Sequence, residues 1–210
     1  MPTLIEETEI RLTWDDIDNR VIHPSEKRQR SPGIHLMSGV LKPVLLASRI
    51  LKPIDREQLS LDEMPLNMAI GMAVEDWFMG LWPHMHAHPG EVRLDGVIGS
   101  PDGRSLGKWV SDKVPRKAGV LEECKATWCS RRTYGQNVLE HLVWLWQISG
   151  YCHMLGLEWA RLQVMWINGP YNQGPPKPEY FTYLIKFERQ ELADFWDAII
   201  LNNLEGATAE

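Results

Sequence analysis

The spacing of apolar residues changes period several times along the chain, and each change marks an element. Over 65–82 apolar positions recur three and four apart and the run stops before Pro83, which predicts a helix. Residues 91–99 alternate between apolar and polar, as a strand with one covered face does, and 108–114 and 119–127 read as two further strands. From about 136 to 155 the helical period returns, with Val138, Leu142, Leu145, Ser149 and Cys152 on one stripe. Residues 160–167 and 180–187 are again strands, separated by a Gly/Pro-rich loop at 169–178. A last helix covers roughly 189–204.

The first 64 residues are less regular. Ile10, Leu12 and Trp14 alternate like a strand over 9–14, and 24–32 is a charged loop. Over 37–52, Leu41, Val44, Leu45, Ser48 and Leu51 share one helical stripe with Pro43 near its first turn, and 53–64 reads as a connector. The organisation expected is an N-terminal extension, 1–64, packed on a core of 65–210. Within the core the order helix, three strands, helix, two strands, helix implies an α/β fold with a mixed central sheet flanked by helices.

Composition narrows the class. A chain of 210 residues, 44% hydrophobic and 24% charged, is long enough for one well-packed domain and is not disordered by composition. The most apolar stretch, around 142–157, is broken by Gln147 and His153 and reads as an amphipathic helix, not a membrane span. Cys124, Cys129 and Cys152 form no Cys-x-x-Cys pair, so neither a disulfide framework nor a zinc site is indicated. Together with a start, Met-Pro-Thr-Leu-Ile-Glu-Glu, that lacks a basic-then-apolar signal pattern, they fit a reducing cytoplasm. Among ten tryptophans, Trp77, Trp82, Trp144, Trp146, Trp159, Trp166 and Trp196 fall in predicted elements and are expected in the core. Trp109 and Trp128 are the candidates for stacking on a nucleobase. His84, His86 and His88 alternate, but Pro83 and Pro89 bracket them without an interleaved ligand, so they read as a loop.

A net charge of −6 argues against coating nucleic acid by bulk electrostatics. The distribution matters more. Residues 101–135 hold eight basic groups, Arg104, Lys108, Lys113, Arg116, Lys117, Lys125, Arg131 and Arg132, against four acids, and so form a basic region able to meet phosphates.

Candidate chemistry lies within that region. Ser-Pro-Asp-Gly at 100–103 places Asp102 at a strand end, and Leu-Glu-Glu-Cys-Lys at 121–125 follows within the next strand. Glu123 and Lys125, two apart, project from one face, whereas Glu122 lies on the other face with Cys124. A carboxylate and an ammonium side by side, with a second carboxylate from a neighbouring strand, can hold a hard cation and orient a water that it activates. The Cys124 carbonyl is a further oxygen of the type magnesium accepts. Taken singly, Asp-Gly is a turn signal and Glu-x-Lys a salt bridge, and Asp95, in Leu-Asp-Gly, is a rival to Asp102.

Two flanking elements add context. Gly71-Met-Ala-Val-Glu75 puts Glu75 on a helical face with Met68, Gly71 and Met72, and a carboxylate aimed at apolar material needs a partner or a cation, for which a metal or Lys125 would serve. Gln147 and Tyr151 are four apart and share a helical face. The order Gly-x-x-x-Glu, Ser-Pro-Asp-Gly, Glu-x-Lys, Gln-x-x-x-Tyr resembles the PD-(D/E)xK nuclease superfamily, and within it the lambda-type phage exonucleases and the RecB-type nuclease domains. The three cysteines separate the chain from the related CRISPR-adaptation nucleases, whose iron–sulfur cluster needs four.

The resemblance implies a restriction-endonuclease-like core and a metal-dependent DNA nuclease. It implies an exonuclease of phage-type recombination or DNA end processing. A structure-specific endonuclease, a nickase or a non-cutting DNA-binding relative of the same fold remain alternatives. It assigns Asp102, Glu123, Glu75 and the Cys124 carbonyl to Mg2+, or Mn2+, with Lys125 orienting water and phosphate and Gln147 near the metal or the DNA backbone. Tyr151, Arg131, Arg132 and Lys117 are then the expected DNA contacts. Implied partners are DNA, further copies of the chain in a ring, and a single-strand annealing protein.

Overall fold

A computed structural model describes residues 1–10, 31–36, 51–54, 66–129, 131, 137–167, 178–202 and 204. The expected strand end at Leu12 and Trp14, most of the 24–32 loop and of the 37–52 helix, the greater part of the connector, Arg132 and most of the 169–178 loop lie outside these residues.

The expected mixed central sheet is present. It has six strands in the order β1 (Thr3–Glu9), β10 (Glu179–Lys186), β9 (Trp159–Trp166), β8 (Gly119–Thr127), β7 (Gly103–Leu106) and β4 (His86–Ala87). Only the β8–β9 pair within it is parallel, with Glu123 opposite Leu162; its other pairs are antiparallel. A parallel pair needs a long crossover, and α2 (Leu142–Leu155) lies within it.

The two faces of β8 are read differently, as the period-2 rule requires. Leu121 packs with Leu145 and Ile148 of α2, Leu162 and Val164 of β9, and Trp196, in the main core. Cys124 lies on the other face with Phe78 of α1 (Leu66–Leu81) and Tyr180; the Phe78 and Tyr180 rings stack at 4.4 Å. Helices therefore cover both faces. A capping box between Glu188 and Glu191 opens α3 (Arg189–Phe195), which continues as a π-helical segment, Trp196–Leu201.

A second sheet was not expected. Its order is β3 (Leu51–Ile54), β2 (Gly33–Leu36), β6 (Val97–Gly99), β5 (Val92–Leu94). What reads as one strand over 91–99 is a hairpin, because Asp95 (φ 49°) and Gly96 (φ 81°) are both left-handed, as a tight primed turn demands. Gly150 lets this sheet approach α2, since a Cβ there would lie 2.3 Å from Leu36 Cδ2. The residues before Pro65 thus supply an edge strand of the central sheet and half of the second sheet.

Two other local expectations are corrected. The strand predicted at 108–114 lies earlier, at β7, and Gly107–Trp109 is a 3-10 turn instead. His86 and Ala87 form a short edge strand on β7, not a loop. Trp166 and Trp196 are fully buried and Trp159 nearly so, Trp77, Trp82, Trp144 and Trp146 are half-buried, while Trp109 and Trp128 are exposed.

Candidate active site

Asp102 sits at the start of β7 and Glu123 and Lys125 in the later half of β8, where the two strands diverge. Lys125 Nζ donates to Glu123 Oε1 at 2.5 Å, and the pair lies almost out of water, 13% and 1% exposed. Strand alternation alone puts these two on one face. The Cys124 N–H donates to Asp102 Oδ2 at 2.8 Å and locks the Asp102 carboxylate beside them. The Cys124 thiol faces α1, and its burial pushes its pKa well up, so only its backbone stands at the centre.

Glu75, from α1, completes the cluster. Its carboxyl lies against that of Asp102 and raises the cost of a charge there. The loop after β4 reaches the same point: the His88 backbone N–H donates to the Asp102 backbone carbonyl at 2.8 Å, and the imidazole Nδ1 lies 3.7 Å from Glu75 Oε1. His88 carries a left-handed φ of 48° to do so. Alternating histidines between prolines carry no signal of this role, which arises from the β4–β7 pairing.

Three carboxyls in one buried place repel one another. Burial, then the Glu75 charge, push Asp102 up to about 8, against the pull of Lys125 and the Cys124 N–H. Burial, then the Asp102 charge, push Glu123 up to about 8, with Lys125 opposing. Burial pulls Lys125 down, but Glu123, Asp102 and Glu75 outweigh it, so the ammonium is held charged. Glu123 Oε2 is buried and without a hydrogen-bond partner. Among the described residues no group of three or more His, Cys, Asp or Glu side chains is so placed that it could hold a metal ion as it stands.

Glu122 serves the other face. Arg161 Nε and Nη2 donate to it at 2.7 and 2.8 Å and Gln163 Nε2 at 3.0 Å, while Trp82 and Tyr180 donate to Gln163 Oε1 at 2.8 and 2.6 Å. The Arg161 guanidinium stacks on Trp82 at 4.1 Å. This buried network pins β8 to β9 directly behind the Glu123–Lys125 pair; residue-type signals in sequence do not reveal it.

The other expected site residues are not brought to the centre. Asp95 is the turn residue of the β5–β6 hairpin, accepting from Trp196 Nε1 at 2.8 Å, so Asp102 alone takes the strand-end position. Gln147 donates to the Tyr151 hydroxyl at 3.0 Å, which donates to the Leu36 carbonyl at 3.0 Å. Tyr151 is 2% exposed, so the expected phosphate contact is corrected: this hydroxyl ties α2 to the second sheet. Arg131 is corrected likewise, since it pairs with Glu7 and stacks on Phe181 at 4.1 Å, joining β1 to β10. Lys117 lies before the start of β8, at the end of the strand away from Lys125.

The chain matches no family model and no curated protein. Among solved structures it is similar to a protein called SSO0001 (12% identity, TM-score 0.39, covering 66% of this chain and 61% of that one). It is also similar to an alkaline exonuclease from Laribacter hongkongensis (16%, TM-score 0.43, 70% and 71%). A third similarity is to a phage-related exonuclease from Haemophilus somnus (16%, TM-score 0.38, 56% and 58%). The chain thus spans about three-fifths of the first and third and somewhat more of the second.

Proposed function

We propose that this chain is a magnesium-dependent deoxyribonuclease acting on DNA ends. The observation that carries the reading is the convergence of Asp102, Glu123, Glu75 and Lys125. Three carboxyls are packed together with one fixed ammonium, and two of them are pushed to about 8.

The donor types suit a hard divalent cation, which would have to draw the carboxylates together, since as placed they form no ligand set. Glu123 Oε2 is buried without a partner, and three oxygen-donor side chains carry mutual repulsion that a cation relieves. Asp102, Glu123 and Glu75 would hold it, with the Cys124 carbonyl as a further oxygen. When bound, Mg2+ or Mn2+ lowers the pKa of a coordinated water and offsets charge on the scissile phosphate. The chain's own part is positioning. The Cys124 N–H fixes Asp102, Lys125 supplies positive charge beside Glu123, and the Glu122–Arg161 pair holds β8 rigid from behind.

Exonuclease action, and a place in phage-type recombination or end processing, rest on the motif resemblance. The test uses end-labelled linear duplex and closed circular DNA with magnesium, manganese or chelator. Metal-dependent loss of the linear form alone, abolished in Lys125→Ala, supports the proposal. Cutting of the circle replaces it with an endonuclease, and no cutting of duplex or single-stranded DNA leaves a binding module.

A further inference from the structure

Among the described residues a strongly basic surface lies away from the Asp102–Glu123 centre. Residues 104–117 carry five cations, Arg104, Lys108, Lys113, Arg116 and Lys117, against Asp112 alone. That is a net charge of +4 in a chain whose total is −6. All but Arg104 are exposed.

The segment is β7 and the loop that joins it to β8, folded back on itself. The Gly107 N–H donates to the Ala118 carbonyl at 2.8 Å and the Lys108 N–H to the Arg116 carbonyl at 3.1 Å. Further turn bonds run from Ser111 to Gly107, from Val114 to Ser111 and from Ala118 to Pro115. Lys108 and Arg116 are therefore held side by side by backbone pairing. The exposed Trp109 ring anchors the tip, stacked on His84 at 4.0 Å with Lys108 Nζ 4.6 Å from its centroid. Arg104 lies across Gly119, its Nη2 4.0 Å from where a Cβ would stand. Glu6 accepts from Ser111 at 2.8 Å and pairs with Lys113 at 3.5 Å, so Lys113 is partly spent.

We infer that this loop is a second, remote contact for the phosphate backbone of DNA, with Lys108 and Arg116 as its principal cations and Lys117 and Arg104 beside them. Cations held in place on a pinned loop lose little freedom on binding an anion, unlike lysines on a mobile one. The position sets the register. From Gly119 to Lys125 is six strand residues, about 20 Å at roughly 3.3 Å each. A duplex advancing ~3.4 Å per base pair covers that distance in about six base pairs. The cluster and the loop lie at opposite ends of β8, whose two faces are covered, so DNA that meets both would pass over the outer edge of the sheet at β4 and β7. The inference rests on the proposed nuclease reading for the position of the DNA end, but not for the contact itself.

The test is binding of a 30-base-pair duplex in chelator, where no hydrolysis occurs, across a salt series. Each of Lys108→Ala and Arg116→Ala is expected to weaken binding roughly five- to tenfold near 0.1 M salt. Each is also expected to lower the slope of log affinity against log salt by about 0.9, one phosphate contact. Lys108→Arg, which keeps the charge, restores both. Arg93→Ala removes one exposed cation from β5 and serves as the charge-matched control. Slopes equal to wild type, or an equal loss in Arg93→Ala, overturn the inference, because the effect is then absent or merely net charge. Hydrolysis of the same duplex by the wild type with magnesium or manganese is read in parallel. A wild type that binds with the patch dependence but never cuts defeats the nuclease reading and leaves the contact standing. A wild type that cuts while the patch variants bind normally defeats only the contact.

Discussion

The proposed metal would compete with protons for the same carboxyls, and this gives the sharpest quantitative test. In the metal-free protein Asp102 and Glu123 are pushed to about 8, first by burial and then by a neighbouring carboxylate. A divalent cation binds the ionised forms, so below that pH each ligand must first give up a proton. For one carboxyl of pKa 8 the apparent dissociation constant at pH 6 is roughly 50-fold weaker than at pH 8, because the ionised fraction rises from about 1% to 50%. If both must ionise, the factors multiply. Between pH 8 and 9 the gain is less than about twofold per group. Mg2+ titrations by calorimetry at pH 6, 7, 8 and 9, in buffers of different ionisation enthalpy, give both the affinity and the protons released. The expected result is a steep rise in affinity up to about pH 8 that then flattens, with one to two protons released at the acid end. An affinity that is flat from pH 6 to 9, with no proton release, would refute the idea that these carboxyls hold the metal.

The same shifts fix a stability trend: the folded carboxyls keep protons that the unfolded ones lose near pH 4, so metal-free stability falls as pH rises through the window from about 4 to 8. Thermal melts in chelator should show this fall, and added Mg2+ should reverse it most at pH 8. Lys125→Ala should lower the hydrolysis rate by about 10²–10³ or more with secondary structure intact by circular dichroism, as expected for loss of a fixed charge at the reacting phosphate. Glu122→Ala leaves Arg161 buried without its partner and should cost about 3–5 kcal/mol in denaturant unfolding. Its specific activity should then fall through loosening of β8. Asp95→Ala removes the bond to Trp196 and strains a left-handed turn position, costing about 1–2 kcal/mol while hydrolysis persists. Asp102→Ala should abolish hydrolysis instead; the reverse pattern would exchange the roles of the two aspartates.

Local periodicity was enough to place β8, β9, β10, α1 and the start of α3 within a residue or two, because each has one face in a core and the alternation is written in its residue types; α2 ends where expected but begins at Leu142, six residues late, after a 3-10 turn at Val138–Glu140. The shared face of Glu123 and Lys125 followed from the same rule. Where two residues in sequence share a strand face, no tertiary information is needed. The hairpin at Asp95–Gly96 was written there as well, but a run of alternating residues across it read as one strand, since a two-residue primed turn barely interrupts the period. What the sequence could not determine is everything set by pairing at a distance. The second sheet exists because β2 lies alongside β6, more than sixty residues away. Tyr151 and Arg131 look like phosphate contacts by type, yet Tyr151 spends its hydroxyl on the Leu36 carbonyl and Arg131 its charge on Glu7. His88 reaches Glu75 only because β4 adds to β7, and the Glu122–Arg161 pair forms only because β8 and β9 are parallel in one particular register. A polar side chain's partners depend on which strands meet, and that choice is made by the whole chain burying its apolar faces together.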